Sequence, residues 1–354
     1  MDPLDILKRA WRILWGYRAL WVFALILGLT AGGGGGGNGN LFQYRMDRTE
    51  RFPEGLRDFQ RFFRYELPRL DISGDLWATV VWVILGIVIA LLVLAIVFTI
   101  ARYVAETAVI RMVDAHERTA ERPGVQAGFR LGWSRAAWRM FLIDLIVNLP
   151  IFFLVLFLVL AGLVTALLIA QERGTAAVPA WITFAIFMLL AILVVVVLSI
   201  VLNLFRQFFW RASALEDAGV GQAFRRGFDL VKRNWQNVGM MWLILVGIGI
   251  AWAIALFIAF FLLIPVYVIT GLVGLIAGGL PALLVYGISN LLLEEWLPWV
   301  LAAVVGLPIF FLVTFSPLLF LSGLGTVFTS SVWTLTYREL AALEAFATAA
   351  EPPA

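Results

Sequence analysis

The chain of 354 residues contains no cysteine and a single histidine, and only 14% of its residues are charged. Without cysteine there is no disulfide framework, no thiolate metal centre and no cysteine nucleophile. His116 stands beside Asp114 and Glu117 without the partners that a zinc site or a Ser-His-Asp arrangement demands. The glycine run from Gly32 to Gly37 lacks the lysine and the following helix of a phosphate-binding loop, so it reads as a flexible outer linker. No catalytic residue, no metal and no cofactor is expected, and an enzyme is the class least supported.

The scarcity of charge also excludes a water-soluble globule. With 62% apolar residues and a mean hydropathy of +0.97, there is too little polar surface to cover a folded domain of this size, and the chain belongs in a bilayer. The net charge is only +3 although the pI is near 9.4. Its basic residues stand at the ends of apolar runs and not in a solvated patch, so no nucleic-acid partner is expected.

Six stretches are long and apolar enough to span about 30 Å of hydrocarbon: 19–31, 77–101, 140–169, 181–205, 238–264 and 299–325. The basic start of the first one has the look of a signal peptide, but it belongs to the repeat described below and is expected to stay. If the N-terminus is cytosolic, eighteen of the twenty-six lysines and arginines fall in inside segments, which satisfies the positive-inside bias. Both termini are then cytosolic in a multi-pass protein of the cell membrane. The outer segment 32–75 carries seven arginines matched by seven acids, and its Glu54–Leu67 portion has the pattern of an amphipathic cap.

A short basic motif organises the whole. Gly124, Val125, Phe129, Arg130, Gly132 and Trp133 return 95 residues later as Gly219, Val220, Phe224, Arg225, Gly227 and Phe228, with five of the six identical. A looser copy, Leu7, Lys8, Arg9, Ala10 and Trp11, opens the chain. In residues 221–235, Phe224, Gly227, Phe228, Val231 and Trp235 fall on one helical face, and Arg225, Arg226, Asp229, Lys232 and Arg233 on the other. Such a stripe describes a helix lying in the membrane interface, with aromatics toward the acyl boundary and guanidinium groups among the phosphates. The expected fold is an all-α, polytopic membrane helical bundle of about six spans in a single domain, 1–354. It is built from three parallel repeats (about 4–115, 124–218 and 219–340), each an interfacial helix plus a helical hairpin. The stretch 266–297 is a glycine-rich outer elaboration. It holds Gly271, Gly274, Gly278, Gly279, Pro281 and Gly287, so a re-entrant hairpin or outer-leaflet helices are expected there, with too little length for two full spans.

Leu215, Glu216, Asp217, Gly219, Val220, Ala223, Phe224, Gly227, Asn234 and Trp235, with a weaker echo from Val113 to Trp138, resemble a broad group of uncharacterised prokaryotic six-helix integral membrane proteins. The group includes the membrane domain fused to some glycerophosphodiester phosphodiesterases. The resemblance covers most of the chain apart from 32–75 and 266–297, and implies a role in envelope or lipid-related membrane organisation. No soluble phosphodiesterase domain accompanies it here, so that activity is not carried over.

The residues expected to meet anionic lipid headgroups are Lys8, Arg9, Arg12, Arg130, Arg135, Arg225, Arg226, Lys232 and Arg233. The intramembrane polar candidates are Asp144, Asn148 and Asn203. Asp144 lies five residues past Arg139, about 7.5 Å along a helix, and reads as a snorkelling or arginine-paired carboxylate near the interface. Asn148 and Pro150 could open the helix toward a cavity, Asn203 has the character of interhelical glue, and Pro308 and Pro317 mark kinks. The function expected is that of a non-enzymatic scaffold or accessory factor of the cell envelope, with a small-molecule or lipid transporter as the alternative. A polar cavity on the threefold axis would favour transport, and a packed axis the scaffold. The orientation is directly testable: single cysteines at positions 118 and 221 should resist an impermeant maleimide in intact cells and react once the cells are opened. Labelling from outside would overturn the orientation.

Overall fold

The computed structural model describes residues 1–31, 74–171, 177–291 and 297–350, and among these it contains eleven helices and no strand. The outer segment 32–75, with its expected cap at Glu54–Leu67, lies outside the described residues up to residue 73. Helix α1 (Pro3–Gly16) begins under the side chain of Asp2, whose Oδ1 accepts from the Leu4 amide at 2.9 Å, with Pro3 in the first turn. Helix α2 (Ala19–Ala31) leaves it at 98°. Then follow α3 (Gly74–Thr119), the short α4 (Val125–Gly132), α5 (Arg135–Gln171), α6 (Ala177–Leu215), a second short helix α7 (Val220–Arg233) and α8 (Trp235–Leu262). The chain ends in α9 (Ile264–Ser289), α10 (Leu297–Thr314) and α11 (Ser316–Ala350).

Seven of these helices are long and apolar enough to cross a membrane, or eight if the bent α1–α2 pair makes one span. The six expected spans fall short because of the last third of the chain. The stretch expected as span 299–325 is broken at Phe315, which frees residues 297–314 to form α10. Pro317 therefore marks the start of a helix and not a kink. The glycines of the 266–297 elaboration do not break α9 either. Gly274 and Gly278 lie against Phe310 and Gly306 of α10, Gly271 against Thr314, and Tyr286 stacks on Trp299 at 4.5 Å. Rising residue numbers on α9 meet falling ones on α10, so the two form an antiparallel hairpin. The glycines admit close backbone approach, which is what small residues do between helices in lipid.

Two compact units are distinguished, Met1–Gly37 with Ala101–Ala354, and Asn38–Ile100. Of the second, the described part is the beginning of α3, largely exposed and apolar from Leu85 to Ile100. In the first unit a single core gathers one end of five long helices. It contains Tyr103–Val113 of α3, Ala137–Val147 of α5, Phe208–Ala214 of α6, Val238–Leu245 of α8 and Leu324–Leu340 of α11, with α1, α2 and α7. Beyond these core ends α5, α6 and α8 show Leu, Ile, Val and Phe on nearly every face. Lipid is as good a solvent for these side chains as a protein interior, so nothing drives them to pack.

The short helices press small residues against the core ends. A Cβ on Gly132 of α4 would run into the Val104 carbonyl of α3, and one on Gly227 of α7 would meet the ring of Phe209 of α6 at 2.6 Å. Ala10 of α1 is fully buried, and α1 packs on α11. The loop between α3 and α4 is shorter than the polar insertion 116–123 suggests. His116–Thr119 continue α3, and Ala120 ends it in the left-handed region at φ 55°.

Helix α2 crosses α11 at backbone contact, since a Cβ on Gly28 would strike the Leu319 carbonyl and one on Gly323 the Ala24 carbonyl. Gly323→Leu should therefore destabilise the detergent-solubilised protein by about 3 kcal/mol, read as a lowered melting temperature. Gly247→Leu, where a Cβ meets nothing within 4 Å, should cost less than about 0.5 kcal/mol. Equal melting of the two variants would show that the crossing does not hold the fold.

Candidate functional site

The three short helices split their apolar stripes between two destinations. On α7, Ala223, Gly227, Leu230 and Val231 enter the core and Phe224 packs on Phe209 at 4.5 Å, while Phe228 and the neighbouring Trp235 face outward, 49% and 67% exposed. On α1, Ile6, Ala10, Ile13 and Leu14 are buried, whereas Leu4, Trp11 and Trp15 are exposed. At the junction of α4 and α5, Phe129, Trp133 and Trp138 are exposed. The stripe expected to face lipid as a whole is thus exposed only along one edge, because the other edge covers the core ends.

The expected headgroup cations divide accordingly. Lys8, Arg12, Arg130, Arg135, Arg225 and Lys232 are exposed and make no ion pair among the described residues. Arg9 and Arg226 do not belong with them. Arg9 is held by Asp5 at 3.0 Å, by Glu117 at 3.5 Å and by Glu339, and Arg226 by Glu216 at 3.4 Å and by Glu344. Burial lowers the Arg226 pKa, but its hydrogen bond to Glu344 and the charges of Glu216 and Glu344 outweigh that and hold it above its ordinary value. Arg233 is exposed yet also reaches Glu344, at 2.9 Å.

Three further arginines join the core ends to one another. From α3, Arg111 donates to the Ala214 carbonyl at 3.0 Å and to Asp217 at 2.7 Å, both at the end of α6. From α6, Arg211, fully buried, donates to the Ser330 carbonyl of α11 at 2.9 Å, and the Ser330 hydroxyl donates to Glu106 of α3 at 2.6 Å. From α11, Arg338 donates to both the backbone and side chain of Asp114 of α3, each at 2.8 Å. Tyr337 adds a hydrogen bond to Glu216 at 2.5 Å. Next to this closed circuit is an open depression of about 290 Å³ lined by Arg118, Leu215, Glu216, Tyr337, Arg338 and Ala341. It lies just below the 300–1,000 Å³ of ordinary small-molecule sites, and its arginines already face Asp114.

Asp144 is buried in the protein core and is paired with an arginine, as one of the two expected readings has it. It is 5% exposed, pairs with Arg206 of α6 at 2.9 Å, and accepts the hydroxyl of Tyr103 of α3 at 2.5 Å. Arg139, its expected neighbour, turns away to the carbonyls of Asp217 and Ala218 at 2.5 and 3.4 Å. Asn203 serves its own helix, accepting from Arg206 at 2.6 Å, and the Asn148 side chain donates back to the Asp144 carbonyl at 2.8 Å. Pro150 continues α5 without ending it. Arg206 also lies over the ring of Trp210 at 4.8 Å, a cation–π contact that compensates part of its desolvation.

Sequence reasoning missed Tyr103, Glu106, Arg206 and Arg211, which were counted with the inside loops or passed over. The signal was their spacing. Tyr103, Glu106 and Ile110 share one face of α3, and Asn203, Arg206 and Trp210 one face of α6, at helical intervals that continue each span inward. No group of three or more His, Cys, Asp or Glu side chains suited to a metal occurs among the described residues.

With this geometry in hand, the comparisons give one family. Residues 5–336 match the family of unknown function DUF7544, and the chain belongs to that family. The match carries no link to the membrane domain fused to glycerophosphodiester phosphodiesterases. No curated protein and no solved structure matches the chain.

Breaking a buried ion pair by removing one partner costs about 3–5 kcal/mol, because the survivor is left charged and unpaired in a dry site. Asp144→Asn should therefore lower stability by about that much in thermal melts in nanodiscs, well beyond the 0–1 kcal/mol of an exposed pair. Asp144→Leu with Arg206→Met should recover most of the loss. A single mutant that melts like the wild type would return Asp144 to the interface.

Proposed function

We propose that this member of DUF7544 is a non-enzymatic integral membrane protein, a scaffold or accessory factor of the cell envelope, whose short amphipathic helices lie in the inner interface and hold anionic headgroups. It sits in the cell membrane with both termini in the cytoplasm. The observation that carries this reading is the pairing pattern of its cations. Those turned inward bind the core ends to one another, and six of the exposed ones stand near exposed tryptophan and phenylalanine on α1, on α7 and at the junction of α4 and α5. Charge next to interfacial aromatics is the composition of a membrane-surface anchor, worth about 1 kcal/mol per cation against an anionic leaflet.

The same reading includes three parallel repeats around an axis along the membrane normal. Support comes from the circuit α3 to α6 to α11 to α3, in which each step is made by an arginine, and from the buried small residues Ala10, Gly132 and Gly227 at matching places of the repeat. Within that circuit Arg211, Ser330 and Glu106 are buried and hydrogen-bonded in series, which supports a packed interior and hence the scaffold.

A transporter is the second reading, and the buried Asp144, Arg206 and Tyr103 group favours it, since ionisable residues inside membrane helices often mark transport paths. Proteoliposomes decide between them. The scaffold should conduct neither protons nor dye-sized anions above protein-free vesicles, and native mass spectrometry should find anionic phospholipid retained over zwitterionic. Flux by the wild type that is lost in the stable Asp144→Leu, Arg206→Met double mutant would replace the scaffold with the transporter.

A further inference from the structure

The uncompensated charge is not spread evenly over the three short helices. On α1, Asp5 and Arg9 pair on the same helix, and on α7, Asp229 and the nearby Glu216 and Glu344 share the surface with the cations. The junction of α4 and α5 is different. From Arg122 to Ile143 the chain carries four arginines and no acid. Arg122 and Arg139 are spent on the carbonyls of Gly16 and Asp217, while Arg130 and Arg135 are exposed and make no ion pair among the described residues.

These two arginines flank an elbow of only two residues, Trp133 and Ser134, between the end of α4 and the start of α5. Trp133 is 73% exposed and Trp138, one turn into α5, is 63% exposed. Arg135 is the first residue of α5, where the positive end of the helix dipole opposes a cation. An anion at the elbow would relieve both. The Ser134 hydroxyl oxygen, at the same elbow, is buried with no hydrogen-bond partner among the described residues.

From this we infer that the elbow between α4 and α5 is a discrete binding site for the phosphate of an anionic phospholipid headgroup, gripped by Arg130 and Arg135, with Trp133 and Trp138 against the glycerol and upper acyl region. The inference rests on the anionic-lipid reading above and narrows it from a general surface attraction to one saturable site. Tryptophan on both sides of the arginines selects a lipid over a free ion, because an indole gains from an amphipathic neighbour and not from an aqueous one.

The test uses the full chain in a neutral detergent, with its melting temperature followed while short-chain phosphatidylglycerol, phosphatidylcholine or inorganic phosphate is added. The wild type should be stabilised saturably by phosphatidylglycerol and little by the other two. The Arg130→Gln, Arg135→Gln double variant, both changes lying on exposed side chains, should require at least tenfold more phosphatidylglycerol for half-saturation. The matched Arg225→Gln, Lys232→Gln variant, which weakens only the general surface attraction, should shift it at least threefold less than the elbow variant does. Equal losses in the two variants would overturn the discrete site and leave the surface attraction standing. A wild type that does not distinguish phosphatidylglycerol from phosphatidylcholine would overturn both. Inorganic phosphate as effective as the lipid would overturn the lipid assignment.

Discussion

An arginine reaching across to the last carbonyls of a different helix is the contact on which the packed part of this protein depends. A helix leaves its final carbonyls without intrahelical partners, and away from water each must find a donor. Here Arg122 reaches Gly16 at the end of α1 and Arg111 reaches Ala214 at the end of α6, while Arg139 serves the loop carbonyls of Asp217 and Ala218 just past α6 and Arg338 the Asp114 carbonyl within α3. Guanidinium suits the task because its five donors can serve carbonyls and a carboxylate together. One residue type thus caps the helices and sets which helix stands beside which. Asp217, held at φ 49°, is fixed from two sides, its carboxylate by Arg111 and its carbonyl by Arg139.

This division of labour explains why the rest can be so plain. Away from the core ends most side-chain hydrogen bonds among the described residues return to their own helix, that from Thr270 of α9 to the Thr314 carbonyl of α10 at 2.8 Å being one that crosses, and the close approaches use glycine. Gly28 and Gly323 bring α2 to α11, and Gly274, Gly278 and Gly306 bring α9 to α10. In lipid, dispersion and close fit replace the hydrophobic effect as the cause of association, so helix pairs form where side chains are smallest. The long apolar helices α5 and α6 likewise approach at a glycine, Gly162, where a Cβ would meet Met188.

What could be read from the sequence follows the same line. The helical class, the membrane setting and the short amphipathic segments were legible because hydropathy and helical spacing are local properties. The fate of the glycines in 266–297 was not, since a glycine that breaks a helix and one that admits a neighbour are written alike. Arg9 and Arg226 were indistinguishable from Lys8 and Arg225, because their partners Glu339 and Glu344 are more than a hundred residues away. That Asp144 pairs with an arginine was legible, but which arginine was not. Distance along its own helix from Arg139 measured nothing about α6, from which Arg206 arrives.

The circuit of arginines also bears on what this protein can do. A hydrogen bond to a charged group contributes roughly 1.5–3 kcal/mol, so opening all three steps from α3 to α6 to α11 would cost on the order of 5–9 kcal/mol. Conformers exchanged during a working cycle usually differ by only a few kcal/mol, because a less populated state could not be reached often enough to matter. Rearrangement through the centre is therefore disfavoured on energetic grounds. The Asp144 and Arg206 pair lies to one side of that centre, on α5 and α6, and only a motion of α5 against α3 and α6 would break it without opening the circuit. Such a motion would also have to part Arg139 of α5 from the carbonyls of Asp217 and Ala218, so α5 too is tied to the joined helix ends.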